Sequence, residues 1–213
     1  MTRRTSRRRF LKATAATGAV AGLNVAVLAQ DDGQGEEVIL LGGNTPGWIG
    51  WRLPGEMEAT GSQNPTLNLQ EETTYTLMWQ NVDGVGHNFA IQNSDGENMQ
   101  VLQPLSVEQH VYEELNGTDA NESVSLEVSD GNVTGVTTGN ESGGNATAQQ
   151  TPSEDELVER TEIISEEGAV QGVRFTATSE MAQYICLVHP NTMLGDVSVE
   201  GGDGGGMENN SSG

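Results

Sequence analysis

The chain has 213 residues, 34% hydrophobic, with 28 glycines, which suits a modest core joined to sizeable solvated stretches. Of nine basic residues six lie in the first twelve positions, so beyond residue 30 the 31 acids meet only Arg52, Arg160 and Arg174. With no basic patch, nucleic acid is excluded as a partner; acids spread along the whole chain predict a halophilic setting where salt screens self-repulsion, the other reading being an acidic face for a basic partner.

The first 29 residues read as an export signal. Arg7-Arg8 stands ahead of Phe10-Leu11-Lys12, a small-residue apolar run follows, and Val27-Leu28-Ala29 offers a cleavage point. This is similar to a twin-arginine signal. It predicts an exported, extracytoplasmic chain at the cell surface or secreted, or one held at the membrane if the signal stays uncleaved. Residues 30–35 form a polar linker. The folded domain is expected over 36–200, with a flexible Gly-rich tail at 201–213.

Strand signals then follow in chain order: "VIL" (38–40), "TLNL" (66–69) and "YTLMW" (75–79), where Tyr75, Leu77 and Trp79 alternate onto one face. The turn "NVDGVG" (81–86) leads into "HNFAI" (87–91), and "NSDGEN" (93–98) is a second turn. "VEQHVYEE" (107–114) resumes alternation and is expected as strand. Residues 115–156 are rich in Asn, Gly, Ser, Thr and Glu, lack aromatics, and are expected to be a disordered low-complexity insertion. Within them "VSLEV" (124–128) could pair as a peripheral strand, and N-x-S/T sequons recur at Asn116, Asn121, Asn132, Asn140 and Asn145. "TEII" (161–164), "VRFTA" (173–177), "AQYICLV" (182–188) and "DVSVE" (196–200) complete the set. Short, turn-punctuated strands of this kind predict an all-β fold, an antiparallel β-sandwich, expected as a monomer.

The chemistry concentrates in "YICLVHPNTM" (184–193), which holds the chain's one cysteine. Cys186 could be inert core, a nucleophile or a metal ligand. A nucleophile needs a base and an orienting group, and usually a helix presenting the thiol; inert core explains neither His189 nor Met193. His87, opening a strand after a Gly-rich turn, is the distant residue that would join them. Two imidazoles, one thiolate and a weak axial thioether suit a blue-copper electron-transfer site, while zinc would want a harder fourth ligand. His110 sits among acids and is expected to face solvent. Met99, Met181 and Met207 lack the spacing.

"Y-x-C-x2-H-P-x2-M-x-G-x-V-x-V" resembles the C-terminal copper loop of the cupredoxin family, and "DGVGHNFAI" resembles its upstream ligand strand. The resemblance, in particular to secreted haloarchaeal members, implies a Greek-key β-sandwich, one type 1 copper, and one-electron transfer with a redox protein or membrane respiratory complex. Carried over by position, it implies His87, Cys186 and His189 as equatorial ligands and Met193 as the axial one. It also implies that Asn88 ties the ligand loops together, with Gly86 offering a weak axial carbonyl and Pro190 stiffening the loop. One departure stands out. Three residues separate His189 from Met193, where plastocyanin-like loops usually have four and amicyanin-like loops two. An enzyme with a second copper centre would need more than three histidines, so no enzymatic activity is expected; a copper carrier or surface module is the alternative.

Overall fold

The structure, a computed structural model, describes residues 37–54, 61–119, 122–138, 152 and 154–201. The expected signal, the linker and the tail after residue 201 lie outside the described residues. So do residues 139–151 of the insertion. The described residues belong to one compact unit, Gly33–Gly213.

Eleven strands and one α-helix are described: β1 (Glu37–Gly43), β2 (Ile49–Arg52), β3 (Leu67–Gln70), β4 (Thr74–Asn81), β5 (Ala90–Asn93), β6 (Gln103–Val107), α1 (Gln109–Gly117), β7 (Val124–Ser129), β8 (Asn132–Thr138), β9 (Val170–Thr176), β10 (Met181–Ile185) and β11 (Leu194–Glu200). They form a seven-stranded sheet ordered β2-β1-β4-β9-β6-β8-β7 and a four-stranded sheet ordered β3-β11-β10-β5. The chain crosses between the sheets at β2–β3, β3–β4, β4–β5, β5–β6 and β9–β10, giving the all-β sandwich that the strand pattern predicts.

β1 and β4 lie side by side in parallel register, from Glu37 against Tyr75 to Gly43 against Asn81. Strand alternation sends Ile39, Leu41, Leu77 and Trp79 to one face and Val38, Leu40 and Met78 to the other. The first set meets Leu67, Leu69, Ile91, Tyr184 and Val197 of the smaller sheet in the main core. The second set is covered by Val111, Tyr112 and Leu115 of α1 and by Val124, Leu126 and Val133 of the β7–β8 hairpin. Each large apolar side chain so enclosed contributes about 1.5–3 kcal/mol. Burial on both faces is why Val38–Leu41 in β1 and Leu77–Trp79 in β4 are continuous apolar stretches.

Three expectations are corrected. The sheets are mixed, not antiparallel: β1–β4, β3–β11 and β6–β8 pair in parallel. "VEQHVYEE" is mostly the helix α1, because Val111, Tyr112 and Leu115 share one helical face and bury it. Residues 115–156 are not wholly without structure, for they hold the hairpin β7–β8, whose β8 extends the large sheet from β6. The hairpin closes through Asp130-Gly131, both with positive φ (49° and 75°), the backbone that a two-residue type I′ turn demands and that Asp-Gly supplies. Three strands fall short of expectation: "TEII" gives a single bridge from Ile164 to His87, "HNFAI" is strand only from Ala90, so His87 does not open one, and "AQYICLV" ends as strand at Ile185.

All three tyrosines of the chain are buried. The Tyr112 hydroxyl donates to the Leu41 carbonyl (2.8 Å) and the Tyr184 hydroxyl to the Pro65 carbonyl (2.6 Å). Tyr75 accepts from the Gln70 amide (2.8 Å). Burial pushes all three phenols up from their ordinary value. Their neutral forms therefore add stability that is fully present below the unfolded value of about 10 and is lost as pH rises past it. In an alkaline titration the phenolate ultraviolet signal is expected to appear together with loss of far-ultraviolet circular dichroism, not ahead of it.

Candidate metal centre

His87 follows a turn that Asn81 shapes. The Asn81 side-chain oxygen accepts from the Asp83 and Gly84 amides (3.3 and 2.9 Å), and its amide donates to the Val85 and Ile164 carbonyls (2.7 and 3.1 Å). His87 and Ile164 then exchange two backbone hydrogen bonds of 3.0 Å each, so the segment beyond the insertion acts as a strap across His87. The His87 ring is fully buried, with the Trp79 indole edge-on to it at 6.4 Å between centroids.

Cys186 directly follows β10. The loop after it closes on itself: the Cys186 amide donates to the Met193 carbonyl (2.9 Å), the His189 amide to the Cys186 carbonyl (3.1 Å) and the Met193 amide to the His189 carbonyl (2.9 Å). Cys186 and Met193 are buried within the main core, whereas His189 is half-buried and Val188 and Pro190 are exposed.

The structure brings His87, Cys186 and His189 together as the one cluster of potential ligand groups found among the described residues. The two Nδ1 atoms stand 3.1 Å apart, and Cys186 Sγ lies 3.8 and 3.9 Å from them. The centre of the circle through these three atoms lies about 2.1 Å from each, which is the length of a metal–imidazole or metal–thiolate bond, roughly 2.0–2.3 Å. A single ion thus fits the triangle without moving a side chain. Met193, buried and hydrogen-bonded through its backbone to Cys186, is the thioether at the end of the same loop. This donor set fits one copper ion.

Asn88 occupies the place expected of it. Its side-chain oxygen accepts from the Leu187 amide (2.9 Å) and from the Cys186 thiol (3.7 Å), binding the segment that carries His87 to the Cys186 loop. Asn88→Ala leaves the half-buried Leu187 amide without its partner, and copper affinity is expected to fall about 10–100-fold in a competition titration with a chelator. Gly86 lies under the strap, where a Cβ would sit 3.1 Å from both Ile163 Cγ2 and Ser165 Oγ. His110 is exposed, with Glu108 Oε2 at 3.2 Å from its Nδ1. Of "WIGW", Trp48 is in the main core and Trp51 packs against Tyr112 on the other face of the large sheet.

Sequence reasoning missed Asp83, read only as turn chemistry. Its Oδ1 lies 2.8 Å from His87 Nε2 and accepts from the Val85 amide (3.0 Å); its Oδ2 accepts from the Thr45 amide and hydroxyl (2.7 and 2.6 Å). Burial pushes this carboxyl up, but the Thr45, Val85 and His87 hydrogen bonds outweigh it and hold the group well below the usual carboxylate range. The available signal was an acid four residues before a candidate histidine ligand.

No family model and no curated protein matches the chain. Solved structures do. Auracyanin A, a "blue" copper protein from the green thermophilic photosynthetic bacterium Chloroflexus aurantiacus, is 15% identical, with 78% of this chain and 100% of that chain covered and a TM-score of 0.37. Reduced auracyanin from the photosynthetic bacterium Roseiflexus castenholzii is 12% identical over 78% and 98%, TM-score 0.36. Rusticyanin from Thiobacillus ferrooxidans is 16% identical over 76% of each chain, TM-score 0.31. Likeness this remote carries no weight for the chemistry, which rests on the three donor atoms and their surroundings.

Proposed function

We propose that this chain is an extracytoplasmic electron carrier with a single type 1 copper bound by His87, Cys186, His189 and, axially, Met193. The observation that carries the reading is the triangle of two imidazole nitrogens and one thiol sulfur, sized for one ion. The copper supplies a one-electron couple between Cu(II) and Cu(I). The chain's own residues hold the donors nearly still, since His87 is pinned by the Ile164 bridge and Cys186 by Asn88 and the Met193 carbonyl. A site that does not rearrange loses little energy to reorganisation when the electron moves.

Two further observations support a carrier over an enzyme. His87 and His189 are used in the cluster and His110 is exposed beside Glu108, leaving no histidines for a second copper centre. Among the described residues the exposed large apolar ones are Val85 in the ligand turn, Ile163 in the strap, Val188 in the ligand loop and Leu194 where β11 leaves that loop, so a redox partner can dock where His189 approaches the surface. The arginine pair at Arg7-Arg8 supports twin-arginine export, and the acid excess supports a salt-rich setting. Absorption and EPR spectra of the copper-loaded protein, followed by voltammetry, test the reading. An intense visible band and a reversible couple are expected. A colourless copper complex sinks the type 1 assignment, and a coloured one without a reversible couple turns the reading towards a copper carrier.

A further inference from the structure

We infer that Asp83 is a positioning residue that fixes the tautomer of His87 and biases the site towards oxidised copper, an inference that rests on the copper reading for its second half only. The ionised carboxylate has no hydrogen to give. At 2.8 Å from Asp83 Oδ1, His87 Nε2 therefore carries the ring's proton. Nδ1 is left with a bare lone pair, and it is Nδ1 that faces Cys186 Sγ and His189 Nδ1. A carboxylate behind a ligating imidazole also raises its basicity and orients the ring.

Asp83 is itself held from several sides. Two bonds come from Thr45 and one from the Val85 amide. The Thr45 carbonyl in turn accepts from the Thr192 hydroxyl, which adjoins Met193, and the Thr192 carbonyl accepts from Asn64 (2.8 Å). One carboxylate thus links the turn before His87 to the loop carrying the other three proposed ligands. The half-buried carboxylate places its negative charge directly against a fully buried ring, and it favours the metal state of higher charge.

Nitrogen-15 NMR of the metal-free protein reads the first half directly. The wild type is expected to show His87 protonated at Nε2, and Asp83→Ala to shift the ring towards the Nδ1–H form. Thr45→Val, which loosens the same carboxylate from its far side, should keep the Nε2–H form. A wild-type His87 protonated at Nδ1 overturns the inference, even if no Asp83 variant folds, and so does an unchanged tautomer in Asp83→Ala. Voltammetry of copper-loaded Asp83→Asn reads the second half. The ratio of Cu(II) to Cu(I) affinity is expected to fall about tenfold, a rise of about 59 mV in potential for one electron; a change under twofold overturns the bias. A wild type that takes up no copper with a visible band defeats the copper reading alone and leaves the tautomer result standing.

Discussion

Cys186→Ser is expected to abolish the visible band of the copper-loaded protein while leaving its far-ultraviolet circular dichroism intact. The band requires charge transfer from a thiolate to the metal, and Cys186 is the only thiol in the chain. A serine oxygen keeps the size of the side chain and can still donate to Asn88, so the fold loses little. The oxygen is a poorer donor for copper, and it removes one corner of the triangle. Affinity should therefore drop by more than the roughly 10–100-fold that follows loss of an outer hydrogen-bond partner. Spectra and a chelator competition on the two proteins side by side measure both effects. A band that survives in Cys186→Ser would falsify the proposed ligand set.

The largest expected effect on stability is that of Trp79→Ala. Trp79 is fully buried in β4 and lies edge-on to Trp48 at 5.5 Å and to His87 at 6.4 Å. Truncation removes the transfer energy of the indole and leaves a cavity, at a cost of about 3–5 kcal/mol. For a domain of this size that lowers the melting temperature by on the order of 10–15 °C. The loss should be wholly one of packing, because the Trp79 indole N–H has no hydrogen-bond partner. Trp79→Phe is accordingly expected to recover most of the stability, with no penalty from a broken hydrogen bond. Differential scanning calorimetry of the metal-free variants separates this from any change in metal binding.

The main core and the cluster were legible because their signals are local. Alternation in "YTLMW" gave the face that Tyr75, Leu77 and Trp79 share, and the spacing of Cys186, His189 and Met193 lies within one loop. His87 was found from far away because so few histidines compete for the role. What escaped was structure made by contact between distant segments. The helix α1 shows only Val111, Tyr112 and Leu115 as an apolar face, too short a period to outweigh apparent alternation. Its reason for being helical is the uncovered back of β1 and β4, which no local window reveals. Of the hairpin, β7 was offered by "VSLEV", but β8 was masked by the composition around it, although Asp130-Gly131 carried the turn signal. Asp83 escaped because a turn aspartate and a histidine-orienting aspartate look identical until the side chain is placed. Parallel pairing of β1 with β4 is equally invisible, since it depends on where the intervening strands go.

Helix α1 and the buried side of the β7–β8 hairpin pack with Val38, Leu40 and Met78, on the face of the large sheet turned away from Trp79. Heritable change there is consequently uncoupled from the chemistry. Substitutions in α1 or the hairpin can raise or lower the melting point while the electrochemistry holds still. A lineage could lengthen, decorate or shed this region as its surroundings changed, with the redox behaviour inherited intact.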